Sequence, residues 1–470
     1  MLFNSLTFLV FFAVVFALHR LMPGWGAKKL LLLVASYVFY AAWNPPYVLI
    51  LAFSTTFDWW LARLVWKSRD PAHRKLLLTL SLVANLSLLG FFKYGDFLLQ
   101  NTQRLLALLG VHYAPPALDI VLPIGISFYT FASLSYTIDV YRKEIEGDAP
   151  FLDYALFVSF FPHLVAGPIV RARQLLPQIK TPRSVSRDRL GWGLCLVIIG
   201  LFTKTVLADT LFAPVVDAAY ADPVLGAFET WGAVLGFSGQ IYCDFAGYSL
   251  CAIGLALCFG FEFPDNFRYP YGARGFADFW RRWHITLSTW LRDYLYIPLG
   301  GNRHGEWRTY LSLFLTMLIG GLWHGASWMF VLWGGLHGIY LAAERRLRGA
   351  DRGVPLSSRM QDRMLTAFTF LVVTLTWIPF RARDPHTAAA VFGGLFDMQA
   401  PVRQGMGALL ACYAAVAVLL TWQWLNRDLS LEQRFQRLSP SVQALALGGC
   451  LVAMFLCSGG DERAFIYFQF

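Results

Sequence analysis

The sequence predicts an all-α, polytopic membrane protein, and three observations carry that prediction. Of its 470 residues 57% are hydrophobic and only 14% charged, where a soluble domain carries about 25% charge. The mean hydropathy is +0.51. The apolar residues come in uncharged blocks, each near the ~20 residues that cross a bilayer as a helix. Strand-type alternation is missing, and a backbone in hydrocarbon must satisfy its own polar groups, which selects helices. Roughly 10–13 helices, some of them re-entrant, are expected over residues 1–470 as a single integral-membrane domain.

The first block, residues 2–18, has no lysine or arginine before it and no small-x-small pattern after it, so a retained span is expected instead of a signal peptide. Residues 30–42 and 47–61 are the next two spans. They separate two basic loops, one with Arg20, Lys28 and Lys29, the other with Arg63, Lys67, Arg69, Arg74 and Lys75. Two crossings put both loops on one face, which the positive-inside rule makes cytoplasmic. Residues 76–92 then cross outward, and 97–118 are expected to lie at the outer surface. Residues 121–141 return to Arg142 and Lys143, with Asp139 expected to stabilise that interfacial end.

Residues 151–170 contain Pro162 and Pro168, which an unbroken helix excludes. The basic stretch 171–189 follows, so a segment that leaves and re-enters on the cytoplasmic side is expected. Residues 191–207 go outward with Lys204 near the end, placed to snorkel to the interface. An outer loop is expected at 213–229. The span 231–259 then buries Asp244, whose expected role is to link helices.

The stretch 267–310 is rich in arginine and tryptophan, the composition of a membrane–water interface. Wound as one helix, residues 279–296 put Trp280, Trp283, Leu287, Trp290, Leu291 and Tyr294 on one face. Arg281, Arg282, Thr289 and Arg292 fall on the other, with His284 at the edge. Residues 311–343 carry no acidic or basic residue except His324 and His337, and arginines bound both ends. As one helix this block would be about 50 Å long, well beyond a ~30 Å core, so a hairpin turning near residues 320–328 is expected. Gly321 and Gly325, like Gly334 and Gly338, stand four apart, the spacing that lets membrane helices approach closely. Residues 364–378 and 405–425 are further spans, 387–396 a short surface helix and 426–440 a polar, basic loop. Residues 444–457 form the last span, and the aromatic run 465–470 follows.

The formal net charge of +10 sits in short loops, so it reports topology and not a nucleic-acid partner. Seven cysteines lie scattered without a C-x-x-C pair, which argues against a disulfide framework or a zinc site. Among the histidines, His324, His284, His163 and His337 fall in apolar or interfacial blocks. None has the H-E-x-x-H spacing of a metal site, and no G-x-S-x-G elbow, Walker loop or dinucleotide fingerprint occurs. His163, beside Pro162, is expected to be structural. His337 lies about 220° around an ideal helix from His324, so the two need not share a face. An ionisable residue inside hydrocarbon usually has work to do, and imidazole near neutral pH suits general acid–base chemistry. An arginine-rich cytoplasmic surface beside it would suit an anionic donor such as a phosphate-bearing thioester. The residues alone also leave a transporter or flippase, and a non-catalytic scaffold of a polymer-secretion complex, as readings.

The run F-W-R-R-W-H-I-T-L-S-T-W-L-R-D-Y-L-Y-I-P-L-G-G-N-R (279–303), with G-G-L-W-H-G-A-S-W (320–328), resembles the membrane-bound O-acyltransferase (MBOAT) family, in its bacterial branch that acetylates alginate. L-P-I-G-I-S-F-Y-T-F (122–131), F-P-H-L-V-A-G-P (161–168), Y-C-D-F-A-G-Y-S (242–249) and the terminal F-I-Y-F-Q-F support the resemblance. It implies that His324 is the catalytic histidine, acting as general base, and that His284 occupies a second catalytic motif position, held by His or Asn, where it would position or polarise the thioester. It implies a many-helix fold in the bacterial inner membrane. Acetyl-CoA or an acyl-carrier thioester would be the donor, with no permanently bound cofactor and no metal. Arg281, Arg282, Arg292 and Trp283 would then face the donor. The acetyl group would pass to a periplasmic acetyltransferase partner that decorates a secreted polymer such as alginate or cellulose.

Overall fold

The computed structural model describes residues 1–113, 115–116, 120–223, 225–348, 359–457, 463 and 465–466. Among them every regular element is a helix, and six helices are long and apolar enough to cross a membrane. The described residues form two compact units, 1–194 with 252–264, and 195–251 with 265–470.

The first unit begins with α1 (Leu6–Leu21), whose first turn is capped by the Ser5 hydroxyl accepting from the Phe8 N–H at 3.2 Å. After α2 (Trp25–Ala41) and α3 (Tyr47–Lys67) comes α4 (Pro71–Leu108), started by Asp70 as cap and Pro71 in the first turn. Here the structure corrects the expectation of a span over 76–92 with a separate surface segment over 97–118. Residues 71–108 are one helix of 38 residues, about 57 Å long. The polar run Lys93 to Asp96 does not break it, because it holds no proline and a single glycine costs a helix only about 1 kcal/mol. Residues 114, 117 and 118 of the expected segment lie outside the described ones.

Gly125, at φ +77°, turns the chain into α5 (Ile126–Tyr141). A Cβ there would also overlap the Leu164 carbonyl group. Buried polar groups tie the unit together. Asp58 of α3 accepts from Ser81 at 2.7 Å and from Asn85 at 2.9 Å, both on α4. Such bonds replace the hydrophobic drive that hydrocarbon cannot supply between helices. Asp139 is fully buried near the end of α5. The proline-bearing stretch breaks as expected, into α6 (Phe151–Ser159) and a one-turn α7 (Phe161–Leu164), followed by α8 (Ala172–Lys180). His163 is buried with its ring 5.3 Å from Phe263 and 6.3 Å from Phe160.

Two helices contribute to both units, α9 (Arg187–Phe202) and α11 (Ala227–Cys258), with α10 (Ala213–Ala221) between them. Within the second unit α9 continues without a loop into a π-helix (Thr203–Phe212) and then into α10, so most of the expected outer loop 213–229 is helix. Gly200 and Gly247 face each other there. A Cβ on Gly200 would stand 2.6 Å from the Gly247 carbonyl oxygen, so no side chain fits at this crossing. Lys204 does not snorkel. It is 3% exposed and pairs with Asp244 of α11 and with Asp209 at 2.7 Å. The π-register explains the second contact, since its i→i+5 bonding stacks residues five apart.

The expected helix over 279–296 is also corrected. It is three pieces, α12 (Phe276–Arg282), α13 (Ile285–Leu291) and a π-turn (Arg292–Tyr296), with the break at Trp283 and His284. The expected hairpin is present as α14 (Glu306–His324) and α15 (Trp328–Arg348). Its glycines work as spaced. A Cβ on Gly321 would overlap the Phe330 carbonyl oxygen, and one on Gly334 the Met317 carbonyl oxygen. After it come α16 (Arg359–Arg381), α17 (Pro385–Gly394), α18 (Met406–Asn426), α19 (Leu431–Gln436) and α20 (Pro440–Leu456). Asp384 caps α17 by accepting from the Thr387 N–H and hydroxyl, both at 2.9 Å, which holds its carboxyl below the usual carboxylate range. Beyond Cys457 only residues 463, 465 and 466 are described, so the rest of the aromatic run lies outside them.

Candidate active site

His324 is the last residue of α14, at the point where the hairpin must leave helical geometry to turn. Gly325 follows in extended conformation, and the Phe330 ring occupies the space a Cβ there would need. The imidazole is 4% exposed. It meets Trp333 edge-on at 5.1 Å between ring centroids, Phe380 at 5.3 Å and Trp323 at 5.0 Å. Three aromatic neighbours thus fix the orientation of the ring.

A cavity of about 310 Å³ opens beside it, lined by His324, Trp333, Met317 and Gly320, and further along by Leu341, Glu344 and Arg345. Trp333 and Arg345 are twelve residues apart on α15, so the cavity runs about 18 Å along that helix. It is mostly apolar, with Arg274, Arg281, Arg292 and Arg345 among its lining residues. Volumes near this size take small ligands or one arm of a larger one. Glu344 also accepts from the Ala277 N–H at 2.8 Å, which pins the start of α12 to α15 along the same wall.

His284 is placed differently. It is fully buried and does not line the cavity, although Ile285, Leu287, Ser288 and Thr289 just after it do. Its backbone is left-handed (φ +41°), a conformation that costs a residue with a Cβ roughly 1–2 kcal/mol. The loop before α12 holds it there. Asn266 accepts from the Ile285 N–H at 2.9 Å through its backbone, and the Arg268 N–H donates to the Arg282 carbonyl at 2.9 Å. The Asn266 side-chain oxygen takes the His284 Nδ1–H at 3.0 Å and the Thr286 hydroxyl at 2.9 Å, while its amide donates to Ser249 at 3.0 Å. That bond to a carbonyl oxygen puts the proton on Nδ1, so Nε2 carries the lone pair. Among the described residues Nε2 has no hydrogen-bond partner. Phe245 stands edge-on to the ring at 4.6 Å. Trp323 lies 6.1 Å from it and touches His324 as well.

The residues expected on the donor side divide. Arg281 and Arg292 line the cavity. Arg282 does not. It pairs with Asp278 at 3.0 Å and donates to the Arg427 carbonyl at 2.7 Å, which fastens α12 to the end of α18. Trp283 is 1% exposed and stacks on Phe279 at 5.6 Å and against Trp377 at 5.1 Å, inside the protein. His337 is brought close to His324 after all. Both rings pack on Trp333, His337 at 4.8 Å, and His337 Nε2 meets the Thr376 hydroxyl at 3.2 Å. The residues that sequence reasoning missed are Asn266, Trp333, Phe380 and Arg345. None shares a local spacing with either histidine, and they meet the site only through the tertiary fold. Among the described residues no group of three His, Cys, Asp or Glu side chains gathers as a metal site would.

Comparison with known proteins adds the following. The model of the MBOAT, membrane-bound O-acyltransferase family matches residues 72–378, more than half of the chain. The chain is 42% identical over 403 residues to the probable alginate O-acetylase AlgI of Pseudomonas putida, covering 84% of this chain and 80% of that protein. It is 42% identical over 402 residues to the probable alginate O-acetylase AlgI of Pseudomonas aeruginosa, covering 84% and 75%. To the peptidoglycan O-acetyltransferase of Helicobacter pylori it is 40% identical over 397 residues, covering 79% and 74%.

Proposed function

The chain belongs to the membrane-bound O-acyltransferase family, and on that premise we propose that it moves an acetyl group from a cytoplasmic thioester toward a polysaccharide outside the inner membrane. It is a multi-pass membrane acyltransferase. The observation that carries the finer reading is the cavity, with an imidazole on its wall and arginines along its length. The thioester's acyl arm lies in the apolar channel with its carbonyl beside His324. The phosphates of a donor such as acetyl-CoA meet Arg281, Arg292 and Arg345, whose charge and hydrogen-bonding geometry suit them.

His324 then acts as general base. It takes the proton from an acceptor hydroxyl as the hydroxyl oxygen attacks the thioester carbonyl, the C–S bond breaks, and the thiol leaves with a proton. General-base help of this kind is worth about 10²–10⁴-fold in rate. Arg345 and Arg346 stand in the last turn of α15, and the positive-inside rule assigns such basic helix ends to the cytoplasm, where the thioester is made.

The acceptor side is read from the relatives. Two are named for alginate and one for peptidoglycan, so the shared chemistry is acetylation of a carbohydrate hydroxyl in an extracytoplasmic polymer. A periplasmic acetyltransferase partner that receives the group completes the route. The test is turnover of acetyl-CoA by the purified protein in nanodiscs, followed as released thiol, with an acetylated carrier protein as the rival donor. Thiol release from acetyl-CoA alone supports this donor, and release from the carrier protein alone replaces it. A protein that turns over neither while shifting a polymer across vesicles would instead be a transporter.

A further inference from the structure

Residues 463, 465 and 466 are tied to the second unit at two places, and each tie leads to one of the two histidines. At the first, Arg463 Nη1 meets Asp217 Oδ2 at 2.5 Å, and the other oxygen of that carboxylate takes Arg381 Nη2 at 2.8 Å. Arg381 directly follows Phe380, whose ring lies 5.3 Å from that of His324. At the second, the Ile466 N–H donates to Asp244 Oδ2 at 2.7 Å. Phe465 beside it is fully buried, 5.4 Å from Phe245 and 4.9 Å from Tyr248. Phe245 is the ring that stands edge-on to His284 at 4.6 Å.

The second tie is built from charge in a place where charge is costly. Asp244 is 2% exposed, and its remaining oxygen takes the ammonium of Lys204, which the π-helix also brings to Asp209. An apolar pair of similar volume would hold two helices together as well or better. A carboxylate does something more. It presents one oxygen to the cation on the π-helix and the other to a backbone amide of a segment more than two hundred positions away.

We propose that Lys204 and Asp244 are positioning residues for the acyl transfer. They hold residues 463, 465 and 466 as a clasp, and the clasp sets the aromatic walls behind His284 and, through Asp217 and Arg381, behind His324. The proposal rests on the reading of His324 as the base of that reaction. Neither Lys204 nor Asp244 lines the cavity, so neither touches the donor.

Removing one partner would strand a buried charge and risk the fold, so the test uses two neutral pairs. Lys204→Met with Asp244→Asn keeps a side-chain oxygen for the Ile466 N–H. Lys204→Met with Asp244→Leu removes it. Each pair is built in the full-length protein, with and without Ile466→Cys. Maleimide labelling of the thiol introduced at position 466 is read by mass spectrometry of its peptide. Thioester turnover is measured in the backgrounds that keep Ile466.

The Asn pair is expected to protect that thiol and to keep kcat close to the parent. The Leu pair is expected to expose it to label and to lose on the order of tenfold to a hundredfold in kcat, with donor KM nearly unchanged, as misplaced catalytic groups do. A Leu pair that labels fully yet turns over like the parent overturns the proposal. So does one that leaves position 466 protected, or one whose loss lies in KM. Should the parent itself turn over no thioester, the acyltransfer reading fails, while the labelling still decides whether the clasp exists.

Discussion

His324 and His284 are both buried and both ringed by aromatic side chains, yet only one of them faces space. His324 lies on the wall of a cavity about 18 Å long. His284 is closed in by Phe245 and Trp323, and held on its Nδ1 side by Asn266. The difference teaches how labour divides between two histidines of one motif set. A group that exchanges protons with a substrate needs a void that the substrate can fill. A group that fixes a chain reversal needs hydrogen bonds to protein. His284 has the surroundings of the second kind.

Replacing His324 should break the comparison most sharply. His324→Ala is expected to lower thioester turnover about 10²–10⁴-fold while leaving the melting temperature near the parent's, because the ring borders a cavity that is already open. Retained turnover in a well-folded His324→Ala protein would move the chemistry elsewhere. His284 should separate by substitution. Asn tolerates the left-handed backbone and can still bond Asn266, so His284→Asn is expected to fold with turnover within about tenfold of the parent. His284→Ala loses that bond, worth about 0.5–1.5 kcal/mol, together with the ring's contact to Phe245, and is expected to melt earlier. Equal melting of the Asn and Ala variants would remove the positioning role.

The smallest effects on turnover should come from the arginines, where the same contrast recurs. Arg281→Ala is expected to raise donor KM severalfold with kcat and melting unchanged, because Arg281 lines the cavity and is otherwise exposed. Arg282→Ala is expected to do the reverse, since Arg282 fastens α12 to Asp278 and to the Arg427 carbonyl. That is about 1.5–3 kcal/mol for a charged hydrogen bond, seen as a lower melting temperature with KM unmoved. Titrating donor against both variants checks the pair in one experiment.

How much of this is legible in the sequence follows from which forces are local. The hairpin of α14 and α15 is legible because its evidence lies along the chain. An uncharged block too long for one crossing, with arginines at both ends, has few solutions. The break in 151–170 is equally plain, since proline acts on its own backbone. The single helix expected over 279–296 fails because its aromatic periodicity continues through residues 283–284, while the loop around Asn266 and Arg268 pulls the backbone out of register there. No pattern within 279–296 reports that pull. Lys204 escapes for a related reason. Its position near the end of an apolar block points to an interface, whereas the partners that bury it stand five positions ahead and forty positions away. Motif resemblance finds the two histidines. Only the cavity reveals the difference in their surroundings.

The π-stretch at residues 203–212 has a further consequence, which concerns insertions and deletions. Each of its turns holds more residues than an α-turn, so the stretch behaves as an insertion that its partners keep from relaxing. Deleting one residue between Lys204 and Asp209 would let the segment wind as an ordinary α-helix. It would also rotate one side against the other by about 100°, so that Lys204 and Asp209, then four apart and still neighbours on one face, would move out of line with Asp244. The helix would become more regular and the protein around it less well assembled. Chain length in this stretch is therefore constrained more tightly than the identity of most of its side chains.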